Sequence, residues 1–289
     1  MCVPQHMYGI LGMPLGHSLS PFLHTWGFSL SGHAGVFVAW EKQQNELPAF
    51  FAAFRSLPIH GLCVTIPYKQ AVIPFVDAVS AEAREAGAVN TLHWFNNTLV
   101  GHNTDIAGFM APLAAEAGKG ATLPETALVL GAGGAARAVL AGLNRLAFRR
   151  VYVCARNPEQ AAILARDFGA RTLGWEQRSA FAGETKALLL VNATPLGMAG
   201  ANAGQSPLPE DVVKKMGEGQ GADASLVYDI VYNPLETPLL AAAAKYGLRC
   251  WNGLSFFVAQ ASEQHALWTG HRLATDKAMS LLAEKLGCL

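Results

Sequence analysis

The segment TALVLGAGGAARAVLAGL, residues 126–143, constrains the fold of this chain more strongly than any other stretch. An apolar run of β type ends at Gly131, and a run with helical spacing begins just after Gly133. Gly131, Gly133 and Ala136 form the pattern GxGxxA, which in a strand–turn–helix context brings backbone amides and a helix N-terminus to a pyrophosphate. The glycines could serve the geometry of the turn alone, but the context favours a dinucleotide-binding unit.

The end of the following strand indicates which dinucleotide would bind. An acidic residue at this point receives the ribose hydroxyls of NAD, whereas a basic residue accommodates the additional phosphate of NADP. The strand VYVCA is followed by Arg156, whose planar guanidinium suits a phosphate, and by Asn157 as a second candidate donor. No acidic residue lies between this strand and Glu159, so the sequence favours NADP over NAD. The alternative is that Arg156 is an exposed arginine that opens the next helix.

Short β-type runs alternate with helical spacing along the whole chain, which is typical of an α/β protein with parallel sheets. The first half contains HMYGILG, GVFVAWE and HGLCVTI, then a hairpin that turns at Asn96 and Asn97, and a helix from about Asp105 to Gly118. The second half contains TALVL, RVYVCAR, KALLLVNA and SLVYDIVY. Residues 199–225 are expected to form loops with a short helix at about 211–216, and residues 253–289 a wholly helical tail.

These elements predict two domains. Residues 1–105 form an N-terminal α/β domain that holds the substrate, and the C-terminal helices of residues 253–289 return to it. Residues 106–252 form a Rossmann-type domain. The cleft between the two domains is the expected site.

Composition narrows the classes of function. The chain is 51% hydrophobic and carries 21 basic and 21 acidic residues, so neither a nucleic-acid surface nor an acidic-membrane surface is expected. Five scattered cysteines without a CxxC pair indicate neither disulfides nor a zinc site, and no HExxH motif or clustered ligand set suggests another metal. No signal-peptide pattern and no long apolar stretch occur. We therefore expect a cytoplasmic protein, a monomer or homodimer, whose partners are small molecules.

Eight short sequence motifs occur in order along the chain, and together they closely resemble the motifs of the shikimate dehydrogenase family. They are HSLSP (17–21), VTIPYK (64–69), GAVNT (87–91), NTD (103–105), GAGGAARAV (131–139), NATPLGM (192–198), YDIVYNPLETPLL (228–240) and VAQA (258–261). Eight motifs in the same order are far less probable by chance than any single motif, and they span nearly the whole chain.

The resemblance implies NADPH-dependent reduction of 3-dehydroshikimate to shikimate, a step of aromatic amino acid biosynthesis. The catalytic lysine and aspartate of that family match Lys69 and Asp105. Its substrate-binding positions match Ser18, Ser20, Thr65, Asn90, Tyr232 and Gln260. Its cofactor-binding positions match Gly131, Ala132, Gly133, Gly134, Ala135, Arg156, Asn157, Thr194 and Gly253.

Reduction of a ketone by hydride explains why a lysine and an aspartate are needed. The reaction leaves negative charge on oxygen, so the site must supply a proton or a positive charge at that atom. A lysine can do both, while the carboxylate orients the ammonium group and favours its charged form. Each site residue also has a purely structural interpretation: helix capping for Ser18, Ser20 and Asp105, strand polarity for Thr65 and Asn90, an exposed helix position for Gln260, a packed ring for Tyr232 and a solvated strand end for Lys69.

The chain departs from the family pattern at three places. Cys63 stands where an asparagine is common, Ser255–Phe257 replace the usual GML, and Ala155 and Asn157 replace the usual Asn and Thr around Arg156, which would weaken the phosphate clamp. Two alternatives to the implied function stay open: a quinate/shikimate dehydrogenase that uses NAD, and an NADP-binding regulator of the same fold without turnover. The intact catalytic pair argues against the regulator.

Overall fold

The computed structural model describes residues 5–218 and 225–287. The chain divides into two compact units: Met1–Gly108 with Val258–Ser280, and Phe109–Phe257 with Leu281–Leu289. The predicted domain bounds, 1–105 with 253–289 and 106–252, differ from this division by a few residues at each crossing. The last residues of the chain also fall in the second unit rather than the first.

The first unit contains a six-stranded sheet in the order β2-β1-β3-β5-β6-β4. Its strands are β1 (His6–Gly12), β2 (Gly35–Glu41), β3 (Ile59–Val64), β4 (Ala78–Val79), β5 (Thr91–Phe95) and β6 (Thr98–His102). Its helices include α1 (Ser20–Ser31), α2 (Leu47–Ser56) and α3 (Ala81–Ala86).

This first sheet is mixed rather than purely parallel as the alternation suggested. Strand β1 pairs in parallel with β2 and β3, whereas β5 pairs antiparallel with both β3 and β6. The antiparallel pairs arise because β5 and β6 form the predicted hairpin. Asn96 and Asn97 both have positive φ, 47° and 61°, which suits a two-residue hairpin turn.

Both faces of strand β3 are buried. Leu62 and Val64 pack in a core with Phe51 and Phe54. Cys63 points the opposite way, because successive strand residues alternate, and joins a cluster that includes Tyr8, Phe28 and Phe37, with Trp268 packed against it. The strand thus delivers the chain to Thr65 and Lys69 from a fixed position between two cores.

The second unit contains another six-stranded sheet, ordered β12-β11-β10-β7-β8-β9, and every pair in it is parallel. Its strands are β7 (Thr126–Leu130), β8 (Arg150–Cys154), β9 (Arg171–Leu173), β10 (Leu188–Asn192), β11 (Leu226–Asp229) and β12 (Arg249–Trp251). The helices are α5 (Gly134–Arg145), α6 (Pro158–Phe168), α7 (Arg178–Glu184), α8 (Glu210–Glu218) and α9 (Pro238–Lys245). The strand order reverses between β7 and β10, which is the crevice where sheets of this kind bind ligands.

Three helices include residues of both units: α4 (Asp105–Gly118), α10 (Leu254–Thr269) and α11 (Thr275–Gly287). The predicted helix at 105–118 has the bounds that the structure shows. The tail is not wholly helical, because α10 ends before Gly270, whose φ of +77° is left-handed. The predicted short helix is α8, while residues 219–224 of that loop segment and residues 288–289 of the tail lie outside the described residues. Within the described residues no helix is long and apolar enough to cross a bilayer.

Candidate active site

Lys69 and Asp105 form a short ion pair in the first unit. The Lys69 Nζ lies 2.6 Å from the Asp105 Oδ2, and the two side chains are only 12% and 3% exposed. Lys69 follows a turn in which the Tyr68 amide donates to the Thr65 carbonyl, and the Tyr68 ring is buried in the core beside β3. Because the preceding ring anchors the turn, Lys69 is held over the sheet and is not a solvated strand end.

Asn90 holds the second oxygen of the Asp105 carboxylate. Its Nδ2 donates to Asp105 Oδ1 at 2.8 Å and to Thr104 Oγ1 at 2.9 Å. Its Oδ1 accepts from the Thr104 amide at 2.8 Å, which is one of the contacts that orient the side-chain amide. Although Asp105 begins α4, the Ile106 amide bonds to another residue, Asn103, so the carboxylate does not act as a helix cap.

Gln260 joins the same cluster from α10. Its Oε1 lies 3.5 Å from both Asn90 Nδ2 and Thr104 Oγ1, and the residue is 7% exposed. The interpretation of Gln260 as an exposed helix position is therefore wrong. The structure brings together Lys69, Asp105, Asn90 and Gln260, four of the residues named from the sequence.

Ser18, Ser20 and Thr65 also belong to the first unit. Ser20 is buried, but α1 takes Leu19 as its N-cap without a side-chain cap bond, so the capping interpretation of Ser20 is wrong. Ser18 does retain a cap-like bond, because its Oγ accepts from the Ser20 amide at 3.3 Å. Within the described residues the Ser20 and Thr65 hydroxyls make no hydrogen bond, so both are available to a ligand.

The glycine-rich turn of the second unit has a backbone conformation suited to binding an anion. Gly131 has φ +115°, and a Cβ there would lie 2.7 Å from the Ala193 carbonyl oxygen, so only glycine fits. Gly133 is the N-cap of α5 with no side-chain cap, and a Cβ there would meet nothing within 4 Å. The first amides of α5, beginning at Gly134 and Ala135, are therefore left open beside Ala132.

Three other predicted cofactor residues differ in their exposure and in their hydrogen bonds. Arg156 is exposed after β8, while Asn157 caps α6 by accepting from the amides of Glu159 and Gln160 at 3.0 and 3.2 Å. The Asn157 oxygen thus has a structural role that the sequence interpretation did not assign. Thr194 donates from Oγ1 to Asn192 Oδ1 at 2.6 Å.

Gly253 has a packing reason to be glycine. A Cβ at this position would lie 2.0 Å from the Ile230 carbonyl oxygen, within the second unit. A side chain is therefore excluded, whether or not a cofactor approaches.

Tyr232 lies in the second unit, apart from the other predicted substrate residues in the division of the chain. Its half-buried ring stacks on Phe257, with centroids 4.2 Å apart and planes at 20°. Phe257 is one of the residues that depart from the family pattern. The interpretation of Tyr232 as a packed ring thus applies to the ring face that stacks on Phe257.

A buried aspartate that the sequence interpretation left without a role ties the end of β10 to the loop after β11. Asp229 accepts from Asn192 Nδ2 at 2.9 Å, from the Val231 amide at 3.0 Å and from Thr237 Oγ1 at 2.7 Å. Burial raises the pKa of its carboxyl to about 6. Its sequence signal is a single acid inside the apolar run SLVYDIVY. Among the described residues no group of three or more metal-ligating side chains is assembled.

Comparison with known proteins identifies the relatives of this chain. The family model for the shikimate dehydrogenase substrate binding domain matches residues 10–92. The shikimate dehydrogenase (NADP(+)) of Oleidesulfovibrio alaskensis is 46% identical over 288 residues, covering 99% of this chain and 98% of that protein.

Solved structures agree with this relationship. Shikimate 5-dehydrogenase from Thermus thermophilus, in complex with NADP(H) and shikimate, is 35% identical with a TM-score of 0.79, covering 97% of this chain and 99% of that one. Quinate dehydrogenase from Corynebacterium glutamicum in complex with NAD is 26% identical with a TM-score of 0.82, covering 96% and 98%. The resemblance noted in the sequence and the predicted two-domain α/β fold are confirmed.

Proposed function

The chain belongs to the shikimate dehydrogenase family of oxidoreductases, and we propose that it catalyses the reversible NADPH-dependent reduction of 3-dehydroshikimate to shikimate in aromatic amino acid biosynthesis. The observation that carries the proposal is the ion pair of Lys69 and Asp105, 2.6 Å apart and held by the Asn90 amide. The relative from Oleidesulfovibrio alaskensis, a shikimate dehydrogenase (NADP(+)), supports the same reaction.

Lys69 is proposed to stabilise the charge that develops on the substrate oxygen. Its ammonium group has three donors, and the bond to Asp105 uses one, so others can reach a reacting oxygen. Asp105 orients the ammonium group, and the largely buried position strengthens the electrostatic effect because few waters screen it. In the reverse direction the neutral amine form of the same lysine can receive the proton of the shikimate hydroxyl and become the ammonium group.

Hydroxyl and amide groups are proposed to orient the substrate. Ser20 and Thr65 offer hydroxyls with no other partner within the described residues, and Ser18 keeps a donor proton because its oxygen only accepts from the Ser20 amide. Such neutral donors can bind a carboxylate without a buried arginine. Asn90 and Gln260 complete the polar set, while Tyr232 is assigned from the family resemblance.

The residues of the second unit fit a dinucleotide. The unpaired amides after Gly133, and the turn at Gly131 that only glycine fits, suit a pyrophosphate. The exposed Arg156 suits an additional phosphate. When bound, NADPH supplies the hydride. Asn157 still has its Nδ2 to donate, because only its oxygen is used in capping α6.

The test is a panel of initial rates with the unmodified protein. Shikimate and quinate are each offered with NADP and with NAD, and formation of the reduced nicotinamide is followed by absorbance. We expect the highest kcat/KM for shikimate with NADP. A preference for quinate with NAD would favour the alternative dehydrogenase, since the quinate dehydrogenase of similar fold was solved in complex with NAD. Binding of shikimate or NADP without turnover would favour the regulator and overturn the proposal.

A further inference from the structure

Three buried polar side chains on one face of the first sheet have no part in the function proposed above. His24, on α1, and Cys63, on β3, are both buried, and Gln264 lies one helical turn after Gln260 on α10. Buried polar groups are costly unless they are paired, so their arrangement calls for a physical reason.

The side-chain amide of Gln264 can take only one orientation. Its Nε2 lies 3.4 Å from the Asn90 backbone carbonyl oxygen, which can only accept, and donates to Thr91 Oγ1 at 3.0 Å. Its Oε1 accepts from the Cys63 thiol at 3.1 Å and lies 3.2 Å from His24 Nε2. Burial raises the pKa of the thiol and lowers the pKa of His24 to about 3, so both groups are neutral, and His24 donates to the glutamine oxygen in the tautomer that carries its proton on Nε2.

Thr91 and Asn90 link the hydrogen bonds of Gln264 to the Lys69–Asp105 ion pair. Because Thr91 Oγ1 accepts from Gln264, its proton is free to donate to Asn90 Oδ1, 2.7 Å away. That oxygen also accepts from the Thr104 amide, so the Nδ2 of Asn90 must face Asp105, 2.8 Å away. A single consistent chain of donors therefore runs from Gln264 through Thr91 and Asn90 to Asp105, which holds Lys69.

We propose that Gln264 is a positioning residue for the Lys69–Asp105 pair, acting through the Thr91 hydroxyl and the Asn90 amide. The proposal rests on the proposed function for its effect on turnover. Gln264 touches neither member of the pair directly. It sets which way the Thr91 proton points, while Cys63, which replaces the common asparagine, and His24 fix the far end of the glutamine.

The test replaces Gln264 by methionine, which keeps the length and nearly the volume of the side chain but removes the amide. Since the Asn90 amide then loses part of its orientation, we expect kcat for shikimate to fall about tenfold, with KM for NADP changed less than about twofold. Ser262→Ala is the matched control, because Ser262 is buried on the same helix and bonds instead to the Leu273 amide. Its kcat should stay within about twofold of the unmodified protein.

Thr91→Val completes a double-mutant cycle. If Gln264 acts through Thr91, adding Q264M to T91V should lower kcat by less than about twofold, whereas independent effects would multiply. A general packing role would predict that multiplication, and it would overturn the inference. So would a kcat of folded Q264M equal to that of the unmodified protein.

A crystal structure of Q264M separates this inference from the proposed function. We expect the Asn90 amide to turn or move away from Asp105. A persisting bond between Asn90 Nδ2 and Asp105 Oδ1 would overturn the inference, whether or not the protein turns over shikimate. Absence of turnover in the unmodified protein would instead contradict the proposed function and leave the structural test in force.

Discussion

Asp229 makes stability depend on pH in a predictable direction. The carboxyl is fully buried among Asn192, Val231 and Thr237, and its pKa rises from 3.8 to about 6 because burial disfavours the charged form. A raised pKa means that the fold binds the proton more tightly than the unfolded chain. The stabilisation is therefore fully present below pH 3.8 and is lost as pH rises through about 6.

The size of the effect follows from the shift. With about 1.36 kcal/mol per pKa unit, the free energy of unfolding should lose about 2–3 kcal/mol through this group between about pH 4 and pH 7. Asp229→Asn removes the titration but keeps an acceptor for Asn192 and Val231. The new amide can donate to the Thr237 hydroxyl, which has lone pairs to accept it.

The assay is urea unfolding of the unmodified protein and of Asp229→Asn across this pH range. The unmodified protein should lose about 2–3 kcal/mol relative to the variant as pH rises, since the titration of all other groups cancels in the difference. A difference between the unmodified protein and Asp229→Asn that is constant with pH would refute the reasoning.

Three further predictions concern single positions. Arg156→Ala should lower the NADP/NAD ratio of kcat/KM by about tenfold, because a charge-assisted contact to the additional phosphate is lost; an unchanged ratio would remove Arg156 from the phosphate site. Ser20→Ala should raise KM for shikimate while shifting the free energy of unfolding by less than about 0.5 kcal/mol, because the hydroxyl caps nothing; a loss typical of a helix cap would contradict this. Gly253→Ala should destabilise the fold by more than about 2 kcal/mol in urea unfolding, since its Cβ would lie 2.0 Å from the Ile230 carbonyl oxygen; an unchanged midpoint would show that the backbone can yield there.

Local signals in the sequence predicted those parts of the fold that local chemistry determines. Asn96 and Asn97 adopt the left-handed conformations that their turn needs, and Gly131 has the positive φ expected after β7. The four strands predicted in the second half are the central ones, β7, β8, β10 and β11. They were readable because a strand buried on both faces is continuously apolar.

Features that depend on distant residues could not be predicted in this way. The edge strands β9 and β12 have three residues each and are not fully buried, so they carry no sustained apolar run. Ser20 has a typical capping side chain, yet the first turn of α1 places the cap at Leu19. Gln264 contacts Thr91, 173 positions away in sequence, and only the packing of α10 on the sheet reveals it. The ion pair itself was expected from the family resemblance, not from periodicity.

Turnover of shikimate by Lys69→Ala tests the central claim most directly. With NADP as the oxidant, kcat should fall by roughly 10²–10⁴-fold, because the group that stabilises the developing charge and exchanges the proton is removed. Lys277→Ala, at an exposed position of α11, serves as the control and should match the unmodified protein. A folded Lys69→Ala protein whose kcat stays within about threefold of the unmodified enzyme would contradict the assignment of Lys69 as the catalytic lysine.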